Sequence, residues 1–149
     1  MRVIALDYGS KTIGVAISDP LGITAQPVEV ICRDSEESIK KSIARIKELV
    51  KLHNIGVIVL GYPKNLNNTE GERCKKTLEF KERLERNIKN IEIVLWDERL
   101  STKGVLIGLN ELSRKEKNNV IDKIDKMAAA LILQGFMQAN PAIFNKDNM

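Results

Sequence analysis

The chain is predicted to be an α/β protein built on a mixed five-stranded sheet with helices on both faces. Two observations predict it. Three short apolar runs crowd the first 32 positions, and connections that short join antiparallel strands. Beyond them, apolar runs alternate with segments of helical periodicity, the order that builds right-handed parallel crossovers. The full predicted order is β-β-β-α-β-α-β-α-α.

Each element has a local reason. Residues 3–6 (Val-Ile-Ala-Leu) are continuously apolar, as a central strand buried on both faces must be. After the Tyr8-Gly9-Ser10 turn, residues 13–17 form a second strand that ends at Ser18-Asp19-Pro20. Gly14 inside it suggests a bulge or a close backbone approach. Residues 23–32 read as a third strand, interrupted near Pro27. Asp34-Ser35 then caps a helix with Glu36 and Glu37 in its first turn, where the macrodipole favours acids. Ile39, Ile43, Ile46 and Val50 repeat at helical spacing, with Leu49 and Leu52 alongside, and His53-Asn54 ends the helix. Residues 56–61 are the next buried strand.

A polar loop carrying Pro63 follows. Thr69 and Glu72 have capping-box spacing at the head of a helix over 70–88 that buries Cys74, Leu78, Leu84 and Ile88. Residues 91–96 are the fifth strand. Ser101-Thr102 caps a short helix to about Leu109, and Ser113 and Glu116 open the last long helix, which carries Ile121, Ile124, Ala128, Leu131, Ile132 and Phe136. Pro141 marks its end. One domain over 1–139 and a short polar tail over 140–149 are expected, with no internal repeat or linker.

Composition narrows the function. Lys+Arg 24 against Asp+Glu 20 gives a net charge of +4, which permits a polyanionic partner without demanding one. Aromatic residues make up 4%, too few for an obvious base-stacking surface. Cys32 and Cys74 read as thiols in a reducing compartment. With no membrane-length apolar run and a strand starting at once after Met1, a cytoplasmic protein is expected. The absence of a Gly-rich phosphate loop leaves nucleoside triphosphate hydrolysis without support.

Three acids carry the chemical reading. Asp7 ends the first strand, Glu98 follows the fifth, and Asp125 precedes the small-residue stretch Ala128-Ala129-Ala130 of the last helix. In a sheet of this order ligands gather beyond the carboxyl ends of the parallel strands, where Asp7 and Glu98 both lie. Oxygen-only ligands from three elements suit Mg²⁺ or Mn²⁺, and a two-metal site of this kind hydrolyses phosphodiesters. Each acid also has a plainer reading. Asp7 fits a strand-ending Asx turn, Glu98 with Arg99 fits a surface charge cluster, and Asp125 fits a solvated helix face, with Asp122 as its competitor. Asp97 is the other acid at its strand end, able to orient a ligand or cap the next helix.

Around these acids stand groups able to hold a polyanion: Lys11 and Thr12 after the first strand, Lys64 and Asn65 in the Pro63 loop, then Arg99 and Lys103. Arg99 would grip a phosphate with a two-pronged guanidinium. Singly, each fits a solvated surface residue.

Four segments together resemble the YqgF/RuvX family of ribonuclease H-like proteins. They are Asp7-Tyr8-Gly9-Ser10-Lys11-Thr12-Ile13-Gly14-Val15-Ala16-Ile17-Ser18-Asp19, Gly61-Tyr62-Pro63-Lys64-Asn65-Leu66-Asn67-Asn68-Thr69-Glu70-Gly71, Trp96-Asp97-Glu98-Arg99-Leu100-Ser101-Thr102, and the helix from Val120 through Asp125 to Gly135. Order and spacing agree over about residues 1–138. The resemblance implies an RNase H-like fold, metal-dependent phosphodiester cleavage by Asp7, Glu98 and Asp125, and a role in maturing the 5′ end of pre-16S rRNA, with ribosomal partners in reach. A Holliday-junction resolvase acting on branched DNA is the rival activity and predicts a homodimer, because two symmetric cuts need two sites. A non-catalytic nucleic-acid-binding module is the rival outside enzymology. A phosphotransferase with a two-lobed fold also opens with Asp-x-Gly on a first strand, but one short domain argues against it.

Overall fold

The computed structural model describes residues 2–9, 11–33, 39–63, 71–97 and 114–142, with the backbone alone for 114–126. Five strands are present: β1 (Arg2–Tyr8), β2 (Thr12–Ser18), β3 (Ala25–Cys32), β4 (Ile55–Tyr62) and β5 (Glu92–Asp97). Among the described residues three helices accompany them: α1 (Lys40–Leu52), α2 (Glu72–Asn87) and α3 (Arg114–Ala139). The expected helix over 101–109 lies outside the described residues.

The strands order as β3-β2-β1-β4-β5 in one sheet. β1 is central, antiparallel to β2 and parallel to β4, while β5 runs parallel to β4 and β3 antiparallel to β2. The mixed sheet expected from the short N-terminal connections is therefore present. A bulge interrupts the β2–β3 ladder: Val15 pairs with Glu29 and Ala16 with Pro27, leaving Val28 as the extra residue. Proline has no amide hydrogen to give a ladder, which accounts for the interruption expected at Pro27.

Alternation along the strands splits the core in two. Ile4, Leu6 and Tyr8 of β1 join Ile13, Val15, Ile58 and Leu60 under the stripe Ile39, Ile43, Ile46 and Leu49 at α1 and under Phe80, Leu84 and Ile88 at α2. Val3 and Ala5 point the other way, joining Val57, Val59, Val94 and Trp96 beneath Ala129, Ala130, Ile132, Leu133, Phe136 and Met137 of α3. Helices thus cover both faces. The run Ala128-Ala129-Ala130 is buried, with Ala129 fully so, and such small side chains let α3 lie close to the sheet. The edge of Trp96 meets the ring of Phe136 at a centroid separation of 5.8 Å.

Local contacts fix the ends of elements. The buried Ser18 hydroxyl accepts the Val3 amide at 2.9 Å, and its carbonyl accepts Arg2 Nε at 3.1 Å. Asp19 Oδ1 accepts the amides of Ile23 at 2.7 Å and Thr24 at 2.9 Å, closing the turn into β3, and these bonds hold its carboxyl below the usual carboxylate range, Thr24 contributing most. Arg45 of α1 grips Glu29 of β3 with two nitrogens, at 3.1 Å and 2.7 Å, anchoring the helix over the last strand of the sheet. His53 caps α1 through its backbone amide, bonded to Leu49 O at 3.0 Å, and Asn54 takes the left-handed conformation (φ 54°) that stops the helix, as expected for His53-Asn54.

Four details of the sequence reading change. α1 begins at Lys40 behind Ile39, later than a cap at Asp34-Ser35 requires, and residues 34–38 lie outside the described set. α2 begins at Glu72 with Gly71 at the N-cap and no side-chain cap, and Thr69 also lies outside. Leu78 is exposed, not buried; the buried stripe of α2 is Cys74, Thr77, Phe80, Leu84 and Ile88. Leu78 sits about 100° of helix rotation from the centre of that stripe. Leu52, expected beside the stripe of α1, is also exposed, at the last turn of its helix.

Candidate active site at the tip of β1

Asp7 is the penultimate residue of β1 and half-buried. It shares the parity of Val3 and Ala5, so the pleat turns it to the α3 face of the sheet. On the β2 side its cross-strand partner is Gly14. On the β4 side the ladder pairs Leu6 with Leu60, Leu60 with Leu95 and Gly61 with Trp96. One step beyond Leu6, Asp7 therefore comes level with Gly61. A glycine lies on each flank of this carboxylate, and a Cβ at either position would stand beside it. The result is a shelf on the α3 face, floored by backbone and bounded beyond Gly61 by the Trp96 side chain. Gly14 lies opposite Asp7, and the register shift of the β2–β3 ladder falls one residue further along β2.

The backbone after Asp7 is tied from three directions. Gly9 donates its amide to Thr12 O at 2.8 Å, closing the β1–β2 connection. A Cβ on Gly9 would lie 3.0 Å from that same oxygen, which is why glycine stands there. Arg73, in the first turn of α2, donates Nη2 to Tyr8 O at 3.1 Å. Arg33, just past β3, donates Nη2 to Gly9 O and Nη1 to the Tyr8 hydroxyl at 3.4 Å, while its amide bonds Lys11 O at 2.9 Å. The Tyr8 ring points away from Asp7, into the α1/α2 core. It stacks on Phe80 at 4.2 Å with 10° between planes, and the guanidinium carbons of Arg33 and Arg73 lie 4.6 Å and 5.3 Å from its centroid.

Of the residues picked from sequence, the structure brings Asp7, Lys11 and Thr12 to this tip. Lys11 is exposed and Thr12 half-buried. Asp97 ends β5 level with Tyr62, on the parity of Ile93 and Leu95, so it faces the α1/α2 side, opposite to Asp7. Glu98, Arg99, Lys64, Asn65 and Lys103 lie outside the described residues, as does the side chain of Asp125, although α3 is helical through that position. Among the described residues no three His, Cys, Asp or Glu side chains gather into a metal-binding group. What the described residues supply is a hard oxygen donor, Asp7, whose neighbours at its level on β2 and β4 are the glycines Gly14 and Gly61, and such a donor fits a divalent cation of the Mg²⁺ or Mn²⁺ kind.

Sequence reasoning missed Arg33 and Arg73. One signal for Arg73 was available: a cation in the first turn opposes the helix dipole, so some contact outside the helix must favour it. Arg33 carried no comparable mark.

A central strand ending in an acid, within an antiparallel-then-parallel sheet, defines the RNase H-like class, and solved structures bear out the fold. The Thermus thermophilus RuvC structure matches with a TM-score of 0.55 at 16% identity, over 95% of this chain and 97% of that one. A T. thermophilus RuvC in complex with a Holliday junction substrate matches with a TM-score of 0.52 at 16% identity, over 89% and 91%.

The chain belongs to the RuvX family, described as "RuvX: Holliday junction resolvase", whose pattern it matches over residues 1–139. Relatives named "Putative pre-16S rRNA nuclease" are similar along nearly their whole length. That of Agathobacter rectalis is 47% identical over 137 residues, 92% of this chain and 94% of the relative. That of Bacillus mycoides is 48% identical over 141 residues, 93% and 99%.

Proposed function

We propose that this chain is a metal-dependent endonuclease that hydrolyses phosphodiester bonds in the 5′-end maturation of pre-16S rRNA. Three supports converge: membership of the RuvX family, relatives at 47% and 48% identity that carry the pre-16S rRNA nuclease name, and the glycine-flanked shelf beside Asp7. The last carries the chemistry. A carboxylate on a central strand tip, level with a glycine on each flanking strand, is an oxygen donor that no flanking side chain at its level crowds.

Asp7, Glu98 and Asp125 are the proposed metal ligands and catalytic acids. Glu98 is chosen over Asp97 because Asp97 ends β5 on the face opposite to Asp7. Asp125 stands four residues before the buried Ala129 in the sequence of α3. Asp122 is the competing choice for the third acid. Bound Mg²⁺ or Mn²⁺, as a pair, would supply a more acidic water and neutralise charge on the leaving oxygen.

The remaining residues bind. Arg99 meets the scissile phosphate with two parallel donors, and Lys11, Thr12, Lys64, Asn65 and Lys103 hold neighbouring phosphates along the rim. The working unit is the single domain over 1–139, with 140–149 a tail, acting in the cytoplasm on structured RNA, with ribosomal proteins nearby. Among the described residues no helix is long and apolar enough to cross a membrane.

A second reading, resolution of four-way DNA junctions by a homodimer, is favoured by the family's description and by the fold shared with RuvC. One experiment separates the two. Wild type and Asp7→Asn are incubated with a labelled pre-16S rRNA and a four-way DNA junction, in Mn²⁺, Mg²⁺ or EDTA. Metal-dependent RNA cutting that falls at least about 100-fold in the variant is expected. Cutting of the junction alone moves the assignment to the resolvase. Equal activity in EDTA, or in Asp7→Asn, sinks the metal mechanism, and tight binding without cleavage of either substrate points to a binding module.

A further inference from the structure

We infer that Arg33 and Arg73 are positioning residues that fix the Asp7 carboxylate by clamping the two residues that follow it. This rests on the proposed role of Asp7 in holding a cation. The need for a clamp comes from the ladder. The parallel pairing of β1 with β4 runs to Leu6–Leu60, so on that side the pairs end one residue before Asp7. The antiparallel partner β2 supports Asp7 through Gly14, a residue with no side chain to pack. A metal ligand tolerates displacement of only about 0.5 Å, so the main chain that carries it has to be fixed.

The two arginines restrain the main chain just after Asp7. Arg73 reaches from α2 to Tyr8 O at 3.1 Å, and Arg33 reaches from the end of β3 to Gly9 O. With the Gly9 amide on Thr12 O at 2.8 Å, the main chain just after Asp7 is held from β2, from β3 and from α2 at once. Each arginine is steered by the Tyr8 ring, itself stacked flat on the fully buried Phe80. The ring and the carboxylate leave the strand on opposite faces, so Tyr8, Arg33 and Arg73 need touch neither cation nor nucleic acid to set where Asp7 points. A lysine can replace one hydrogen bond but not the fork with its stacked plane, so it rescues in part.

The test compares wild type with Arg73→Gln, Arg73→Lys, Arg33→Gln and Asp7→Asn, using full-length protein and Mn²⁺ alone as the probe. Mn²⁺ affinity is read by electron paramagnetic resonance, and backbone amide exchange is read by NMR at Gly9 and, for reference, at Leu60 in the core. Each Gln variant should speed exchange at Gly9 at least about 10-fold, leave Leu60 unchanged, and weaken Mn²⁺ binding about 10-fold, with Arg73→Lys intermediate. A purely structural role would change melting temperature and Leu60 exchange while leaving Mn²⁺ affinity of the folded protein alone, and that result overturns the inference. So does unchanged exchange at Gly9. If Asp7→Asn binds Mn²⁺ as wild type does, the metal reading of Asp7 itself fails, and the clamp loses its purpose with it.

Discussion

Truncating Phe80 tests how far the ring stack behind the site contributes to stability. Phe80 is 1% exposed and lies flat against Tyr8, ring centroids 4.2 Å apart. Phe80→Ala empties a ring-sized volume between α2 and the sheet, at a cost of about 3–5 kcal/mol. For 149 residues the unfolding entropy near the midpoint is about 0.3 kcal/mol per kelvin, so 4 kcal/mol lowers Tm by about 13 °C. The part due to the stack is isolated by a double-mutant cycle with Tyr8→Leu and Phe80→Leu, which keep apolar bulk at both positions. A coupling of about 0.5–1.5 kcal/mol is expected, read from urea unfolding monitored by far-UV circular dichroism. A coupling below about 0.3 kcal/mol would show that the stack has no energetic role. A Tm loss under about 5 °C for Phe80→Ala would refute the burial argument, because it implies a site able to collapse around the missing ring.

Three further outcomes are expected. Asp125→Asn should reduce cleavage at least about 100-fold while Asp122→Asn stays within about threefold, measured as single-turnover rates; the reverse order assigns the third acid to Asp122. Ala129→Leu forces extra carbons into the buried contact between α3 and the sheet, costing about 1–3 kcal/mol by thermal unfolding and slowing cleavage as the helix moves off. Asp19→Ala removes the acceptor for two backbone amides, worth about 0.5–1.5 kcal/mol at this solvent-screened site. Because the folded carboxyl of Asp19 titrates below its unfolded value, its contribution is complete above the unfolded pKa and fades as pH falls through the folded one. The stability gap between the two proteins should therefore close in acid, and a gap constant down to strongly acidic pH would refute the charge-assisted turn.

How much of this was readable in advance depended on the range of the forces involved. The strands were legible because burial on both faces leaves a run such as residues 3–6 without polar letters. The bulge was legible at Pro27, since a missing amide is a covalent fact. The place of Asp7 at the tip of β1 was legible because a lone acid closing an apolar strand stands out. Helix faces were not: in α2 both Leu78 and Phe80 fit some helical spacing from Cys74, and only the sheet beneath decides which is covered. The arginine pair was least visible. Arg33 and Arg73 are 40 positions apart, and their meeting at Tyr8 is set by the crossover of α1, β4 and the turn into α2, none of which names them.

The bulge at Val28 reaches beyond the ladder it interrupts. β3 ends the five-stranded sheet, and its flank carries the exposed apolar residues Val28, Ile23 and Leu21. A regular strand with that composition would be a template onto which another chain zips by adding hydrogen bonds in step. Here the spacing of donors slips by one residue at Val28, and Pro27 offers no donor at all. An incoming strand in register with one half of β3 is out of register with the other. The irregularity within β3 thus also disfavours edge-to-edge pairing of this strand with another chain.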